Sequence, residues 1–137
     1  MNACILYFSV TGNTKKFAQA ISTSLNFPIF NIEDIKPIAV KEYDLLIIGT
    51  PVHGMAPAKV ISSFVEKLIK TSNKNAIIFS TFAIRKGSAN KKLQKQLSEK
   101  GYMTLLDTSK RGVRFGDEAF EDNIEQIQKF LQLSSET

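Results

Sequence analysis

Apolar runs of strand length alternate along this chain with amphipathic stretches of helical length, and that alternation leaves few folds open. Residues 3–8, 44–49 and 75–80 are strand-length runs with continuous apolar centres, the pattern of strands covered on both faces. Residues 27–32 form a weaker strand whose Pro28 suits a strand start or a sheet edge. Residues 102–107 read as a last strand. Between them, residues 14–25 set Phe17, Ala18, Ile21 and Leu25 at helical spacing. Residues 33–43, interrupted by Pro37, hold no more than a stub of helix. Pro57 suits a first helical turn, with Val60, Ile61, Phe64 and Leu68 marking one face. Ser88 is placed to cap a helix whose apolar positions are Ala89, Leu93 and Leu97, with Gly101 as its stop. Asp117 starts a final helix with Phe120, Ile124, Ile127 and Leu131 inward.

Five strands alternating with helices predict an α/β fold, a doubly wound parallel sheet with helices on both faces. The right-handed crossover rule then puts a ligand crevice at the carboxyl ends of the strands. In this chain those ends are residues 9–14, 49–56, 80–87 and the region after Asp107. There is no repeat, low-complexity tract or linker, so residues 1–137 read as a single domain.

Composition narrows the function classes. A chain of 137 residues suits one domain and should bury roughly two-thirds of the surface exposed by its unfolded form. Its single Cys forbids an intrachain disulfide and any CxxC redox or zinc site, and no metal site is expected. No apolar run approaches the roughly 20 residues that cross a bilayer, and residues 3–8 are too short for a signal peptide. A cytoplasmic location follows. The net charge of +5 raises nucleic acid as a partner, but its distribution matters more. Residues 1–84 carry 8 Lys against 5 acids, residues 85–114 carry 6 Lys and 3 Arg against 2 acids, and residues 115–137 carry 1 Lys against 6 acids. The chain has a basic segment and an acidic end, which points to an oriented surface.

The loop after the first strand is the most informative. Ser9, Val10, Thr11, Gly12, Asn13 and Thr14 run from a buried strand straight into a helix, with three hydroxyls, an amide and a glycine but no charge. Such a loop can wrap a phosphate with N–H groups and side-chain donors while the helix N-terminus faces the anion. A polar turn ending in a Ser/Thr cap is the plain alternative. The loop is neither GxxxxGK[ST] nor GxGxxG, so a nucleoside triphosphatase and a dinucleotide fold both lack their fingerprints. No acidic pair follows the first strand, as a receiver's metal site needs, and no loop Cys serves a cysteine phosphatase.

With its strand and helix, this loop resembles the N-terminus of the flavodoxin family. Residues 43–54, ending in Thr50, Pro51, Val52, His53 and Gly54, resemble the same family's third strand and first flavin-flanking loop. The order of elements matches along essentially the whole chain, without the long insertion of long-chain members. The resemblance implies a five-stranded sheet of order 2-1-3-4-5, one non-covalent FMN and electron transfer between partner proteins.

It also implies roles for individual residues. Ser9, Thr11, Gly12, Asn13 and Thr14, with Val10 between them, would hold the phosphate. Neutral donors suit a dianion because the helix dipole and N–H groups compensate its charge. Thr50, Pro51, Val52, His53 and Gly54 would lie along the ring system, with Gly54 at the family's peptide-turning position. Ser80, Thr81, Phe82, Ala83, Ile84, Arg85, Lys86 and Gly87 would form the other wall. His53 stands where the family often has an aromatic or Met, and the far wall has neither Tyr nor Trp. Arg85 and Lys86 distinguish this chain from the family's acidic carriers and imply a less reducing flavin.

Other residues read more simply. Cys4 is a buried strand residue, while Tyr7 and Tyr43 are packing. Met55 lines the crevice or covers the following helix. His53 is a polar loop residue by itself and a flavin-flanking one by the resemblance, where its protonation would make the flavin potential depend on pH. Lys91, Lys92, Lys95 and Lys100 are a solvated helix face or, with Arg85, Lys86, Lys110, Arg111 and Arg114, a docking surface for acidic redox proteins. Nucleic acid ranks behind both, because no aromatic-interleaved groove accompanies the charge. Three functions follow, in order: an FMN electron carrier with no catalytic residue of its own, an FMN oxidoreductase acting on a quinone or porphyrinogen-like substrate, and an interaction domain without cofactor.

Overall fold

The computed structural model describes residues 2–112 and 120–135, with side chains as far as residue 132. Five parallel strands form the sheet: β1 (Ala3–Tyr7), β2 (Ile29–Asn31), β3 (Leu45–His53), β5 (Lys74–Phe82) and β6 (Tyr102–Arg111). A two-residue strand, β4 (Ala56–Pro57), folds back antiparallel on the end of β3. The order is β2-β1-β3-β5-β6, which is the expected 2-1-3-4-5 once β4 is set aside. Four helices, α1 (Asn13–Leu25), α2 (Lys59–Glu66), α3 (Ala89–Glu99) and α4 (Glu121–Ser135), cover its two faces.

The period of two along each strand explains why the central runs are apolar throughout. Ile5, Ile47 and Ile77 stand in one row across β1, β3 and β5 and face α1 and α4, where Phe17, Ile21 and Ile127 meet them together with Phe120, just before α4. Cys4, Leu46 and Ala76 stand in the next row, on the opposite face, with Ile61 and Phe64 of α2 and Leu93 and Leu97 of α3. Each fully buried Ile, Leu or Phe contributes about 1.5–3 kcal/mol relative to exposure. One close approach needs a glycine: a Cβ on Gly49 would lie 2.1 Å from the Phe79 ring. That ring packs 4.8 Å from Phe17, which in turn stacks 4.6 Å from Phe120.

Several boundaries differ from the sequence reading. β3, β5 and β6 continue past Gly49, Ser80 and Asp107 to His53, Phe82 and Arg111. Polar strand ends persist because their side chains pair, as Ser80 Oγ does with Ser109 Oγ at 2.7 Å. Pro57 is not in a first helical turn: it pairs with Val52 in β4, and α2 starts at Lys59. Val60 on α2 is 40% exposed instead of inward, and Leu68 is buried beyond the helix end. β2 is shorter than residues 27–32, because Ile32 opens a 3₁₀ turn (Ile32–Asp34) capped by the Asn31 side chain accepting from Glu33 N–H. A second 3₁₀ turn (Pro37–Val40) is the rest of the helical stub. Ser88 precedes α3 without capping it; its hydroxyl donates to the Met55 carbonyl at 3.4 Å. Asp117 and Arg114 lie outside the described residues.

Candidate functional site at the carboxyl ends of the strands

The three loops singled out in the sequence converge on one cleft of about 450 Å³. Val10, Thr11 and Asn13 come from the first loop, Pro51, Val52 and His53 from the end of β3, and Thr81, Phe82 and Ala83 from the end of β5, with Gly112 closing one side. Such a volume lies within the range of small-molecule and cofactor sites.

In the first loop, Gly12 takes φ 97° at the N-cap of α1, a left-handed conformation that glycine adopts without strain. Ser9 Oγ accepts from the N–H groups of Gly12 at 3.1 Å and Lys15 at 3.2 Å, which curls the loop over the helix end. Among the described residues, the N–H groups of Val10, Thr11, Asn13 and Thr14 meet no acceptor. Those of Asn13 and Thr14 belong to the unsatisfied donors that open every helix, and those of Val10 and Thr11 come from the loop just before the N-cap, beside the positive end of the α1 dipole. The Thr14 hydroxyl is buried against the Thr81 hydroxyl at 2.8 Å, and Asn13 Nδ2 donates to the Gly112 carbonyl at 3.3 Å. Loop one is thereby tied to β5 and to the end of β6.

The second wall is a hairpin. His53 and Ala56 pair across Gly54 and Met55, whose φ values of 56° and 66° are both positive. That is the φ pattern of a type I′ turn, which suits the twist of the flanking strands. Thr50 is buried under it, its hydroxyl donating to the Pro51 carbonyl and accepting from Ala58 N–H at 3.0 Å. His53 and Gly54 are exposed at the cleft mouth, and Met55 is 45% exposed.

The third wall depends on β6. Phe82 is half-buried, its carbonyl accepting from Gly112 N–H at 2.8 Å. The Arg111 guanidinium carbon lies 5.8 Å from the Phe82 ring centroid, and Arg111 Nη2 donates to the Ile84 carbonyl at 3.0 Å. Ile84, Arg85 and Lys86 are exposed and stand outside the lining, with Ile84 at 77%. Gly87, at φ 56°, lets this loop meet the hairpin, since a Cβ there would lie 2.7 Å from Met55 Cβ. Ser80 is buried beneath, held by Ser109, which also accepts from Asn90 Nδ2 at 2.9 Å.

Nine of the nineteen residues singled out in the sequence line the cleft; Ser9, Gly12, Thr14, Thr50, Gly54, Ser80 and Gly87 shape or support it, and Ile84, Arg85 and Lys86 are exposed outside it. Arg111 and Gly112 were not among those singled out. Arg111 showed in the sequence only as one charge of a basic run, and its place beside Phe82 comes from strand register, which no local pattern reveals. Among the described residues no acidic residue lines the cleft, and no group of three or more His, Cys, Asp or Glu is placed to hold a metal. Cys4 lies far inside, its thiol pushed up to about 12 by burial. Tyr102 is also raised, first by burial and then by the neighbouring Cys4 charge.

Residues 4–114 match the Flavodoxin domain family. The chain belongs to the flavodoxin family. An uncharacterized protein of Methanocaldococcus jannaschii is 39% identical over 108 residues, 77% of this chain and 71% of that one. Among solved structures, oxidised flavodoxin 1 of Bacillus cereus superposes with a TM-score of 0.82 at 21% identity, covering 96% of this chain and 98% of the other. The flavodiiron core of Flv1 from Synechocystis superposes with a TM-score of 0.75 at 20% identity, covering 99% of this chain and 36% of the larger one. At those identities the two structures speak to the fold alone. Among the described residues, no helix of this flavodoxin-family chain is long and apolar enough to cross a membrane.

Proposed function

We propose that this chain binds FMN non-covalently in the cleft and carries electrons between protein partners. The observation behind the reading is the convergence of three walls on one cleft, one of them presenting, among the described residues, four unpartnered N–H groups in the loop and first turn that open α1. That donor set fits a phosphate dianion. The N–H groups of Val10, Thr11, Asn13 and Thr14 and the exposed Thr11 hydroxyl would hold it without a buried counter-charge. Among the described residues nothing lies within 4 Å of a Cβ position on Gly12.

Val52, His53 and Gly54 would flank the ring system on one side and Phe82 and Ala83 on the other. At Gly54, with φ 56°, an added Cβ would meet nothing within 4 Å among the described residues, and glycine accepts the backbone excursion that a turned peptide requires. FMN, when bound, supplies the electron-accepting and electron-donating chemistry. The chain's residues orient the cofactor, exclude water from one edge and set the charge around it. Arg85, Lys86, Lys110 and Arg111 give the cleft's surroundings a basic character suited to acidic redox proteins.

The test is a titration of apo-protein into FMN. Quenching of flavin fluorescence that saturates at one FMN per chain supports the reading, and absence of quenching overturns it in favour of an interaction domain. Turnover of a quinone by NAD(P)H without any partner would replace the carrier by an oxidoreductase with its own small substrate.

A further inference from the structure

A second concavity lies along α2, on the face of the sheet that α2 and α3 cover, outside the cofactor cleft. It is a groove of about 410 Å³ between the two 3₁₀ turns that follow β2 and the outer surface of α2. Ile32 and Phe64 make its floor, both buried, while Ile35, Pro37 and the 40%-exposed Val60 make its walls. Three exposed lysines stand around it: Lys36, Lys59 and Lys67. Among the described residues, none of these ammonium groups meets a carboxylate, and no acid lines the groove. Glu33, Asp34 and Glu66 are exposed on the flanking turn and helix.

We propose that this groove docks an acidic amphipathic segment of a partner protein, its apolar side chains on the Ile32–Phe64 floor and its carboxylates against the three lysines. Uncompensated cations around an apolar floor disfavour a basic or uniformly polar occupant and favour one carrying both complements. The position also suits a redox partner. Asn31, just before the groove, pairs beside Tyr7, which leads into the first cofactor loop. Pro57, just before α2, pairs with Val52 of the cleft. A segment seated in the groove therefore holds its parent protein beside the cleft without covering it.

The experiment uses a fluorescein-labelled helical peptide with Leu at i, i+3, i+4 and i+7 and Glu at the remaining positions, followed by fluorescence polarisation. Saturable binding is expected, weakened at least tenfold by Lys36→Glu/Lys59→Glu/Lys67→Glu and by Val60→Asp. A charge-matched control, Lys91→Glu/Lys92→Glu/Lys95→Glu on the outer face of α3, should leave it within about twofold. A peptide of the same composition, scrambled so that its Leu residues share no face, should bind at least tenfold more weakly. Absence of binding, equal binding of the scrambled peptide, or equal loss in the α3 control overturns the proposal. FMN titration of the same variants keeps the two readings separate, because the groove substitutions lie outside the cofactor cleft.

Discussion

Arg111, the last residue of β6, stands over Phe82, the last residue of β5, and reaches beyond it to hold the Ile84 carbonyl. One side chain thus fixes both the ring that lines the cleft and the loop that leaves it. A cation–π contact and a charge-assisted hydrogen bond are each worth roughly 1 kcal/mol. Arg111→Ala is accordingly expected to weaken the proposed FMN binding by about 3–30-fold in a fluorescence titration. Arg111→Lys should recover only part of this, because an ammonium lacks the planar fork. Unchanged affinity in Arg111→Ala would show that the third wall stands without it.

The buried Thr14–Thr81 hydroxyl pair joins the start of α1 to the end of β5. Thr14→Val strands the Thr81 hydroxyl and should cost about 1–3 kcal/mol in urea unfolding. Thr14→Val/Thr81→Val should cost less than the sum of the two single changes, since neither hydroxyl is then left alone. Strict additivity would count against a coupled pair.

Gly49 has no room for a methyl group, because Phe79 fills that space. Gly49→Ala should destabilise by about 1–3 kcal/mol through overpacking, and Phe79→Leu in the same chain should recover part of it. Thermal unfolding of the single and double variants decides this.

Burial raises the Cys4 thiol from 9.0 to about 12. The unfolded chain releases this proton as pH passes 9.0, whereas the folded chain keeps it until about 12. The unfolded state therefore binds fewer protons in that window, and stability falls as pH rises through it. Cys4→Ala should flatten that part of the pH–stability curve. Alkylation of Cys4 at pH 8 should proceed only as fast as the protein opens, and rapid modification of folded protein would contradict the burial.

Arg85 and Lys86 project from the third loop as exposed cations. A cation at ~8 Å favours a more negative flavin by roughly 20–90 mV, depending on screening. Arg85→Asp/Lys86→Asp should therefore lower the potential of the flavin proposed to bind in the cleft, and a redox titration that shows no shift excludes this influence.

The central rows of the sheet were legible because Ile5, Ile47 and Ile77 and their neighbours are apolar on both faces, a pattern that belongs to strands between two helix layers. The first loop was legible for a similar reason, since its residues carry their own local signal. Strand ends were not. Thr50, Thr81, Thr108 and Ser109 look like loop residues until their partners arrive from other strands or helices, as Thr14 and Asn123 do. Pro57 suited a helix start, and only the Gly54–Met55 turn behind it made it a hairpin residue. The role of Arg111 depends on the β5–β6 register, which includes a shift between Ala76 and Ile77.

The extended ends of β3 and β5 have a thermodynamic consequence. Pro51 and Thr81 sit side by side in the ladder that runs through the centre of the sheet. A ligand entering above them meets torsions that folding has already set. The loss of chain freedom, about 1–2 kcal/mol for each residue that must be ordered, is therefore met at Pro51 and Thr81 by folding and not by the ligand.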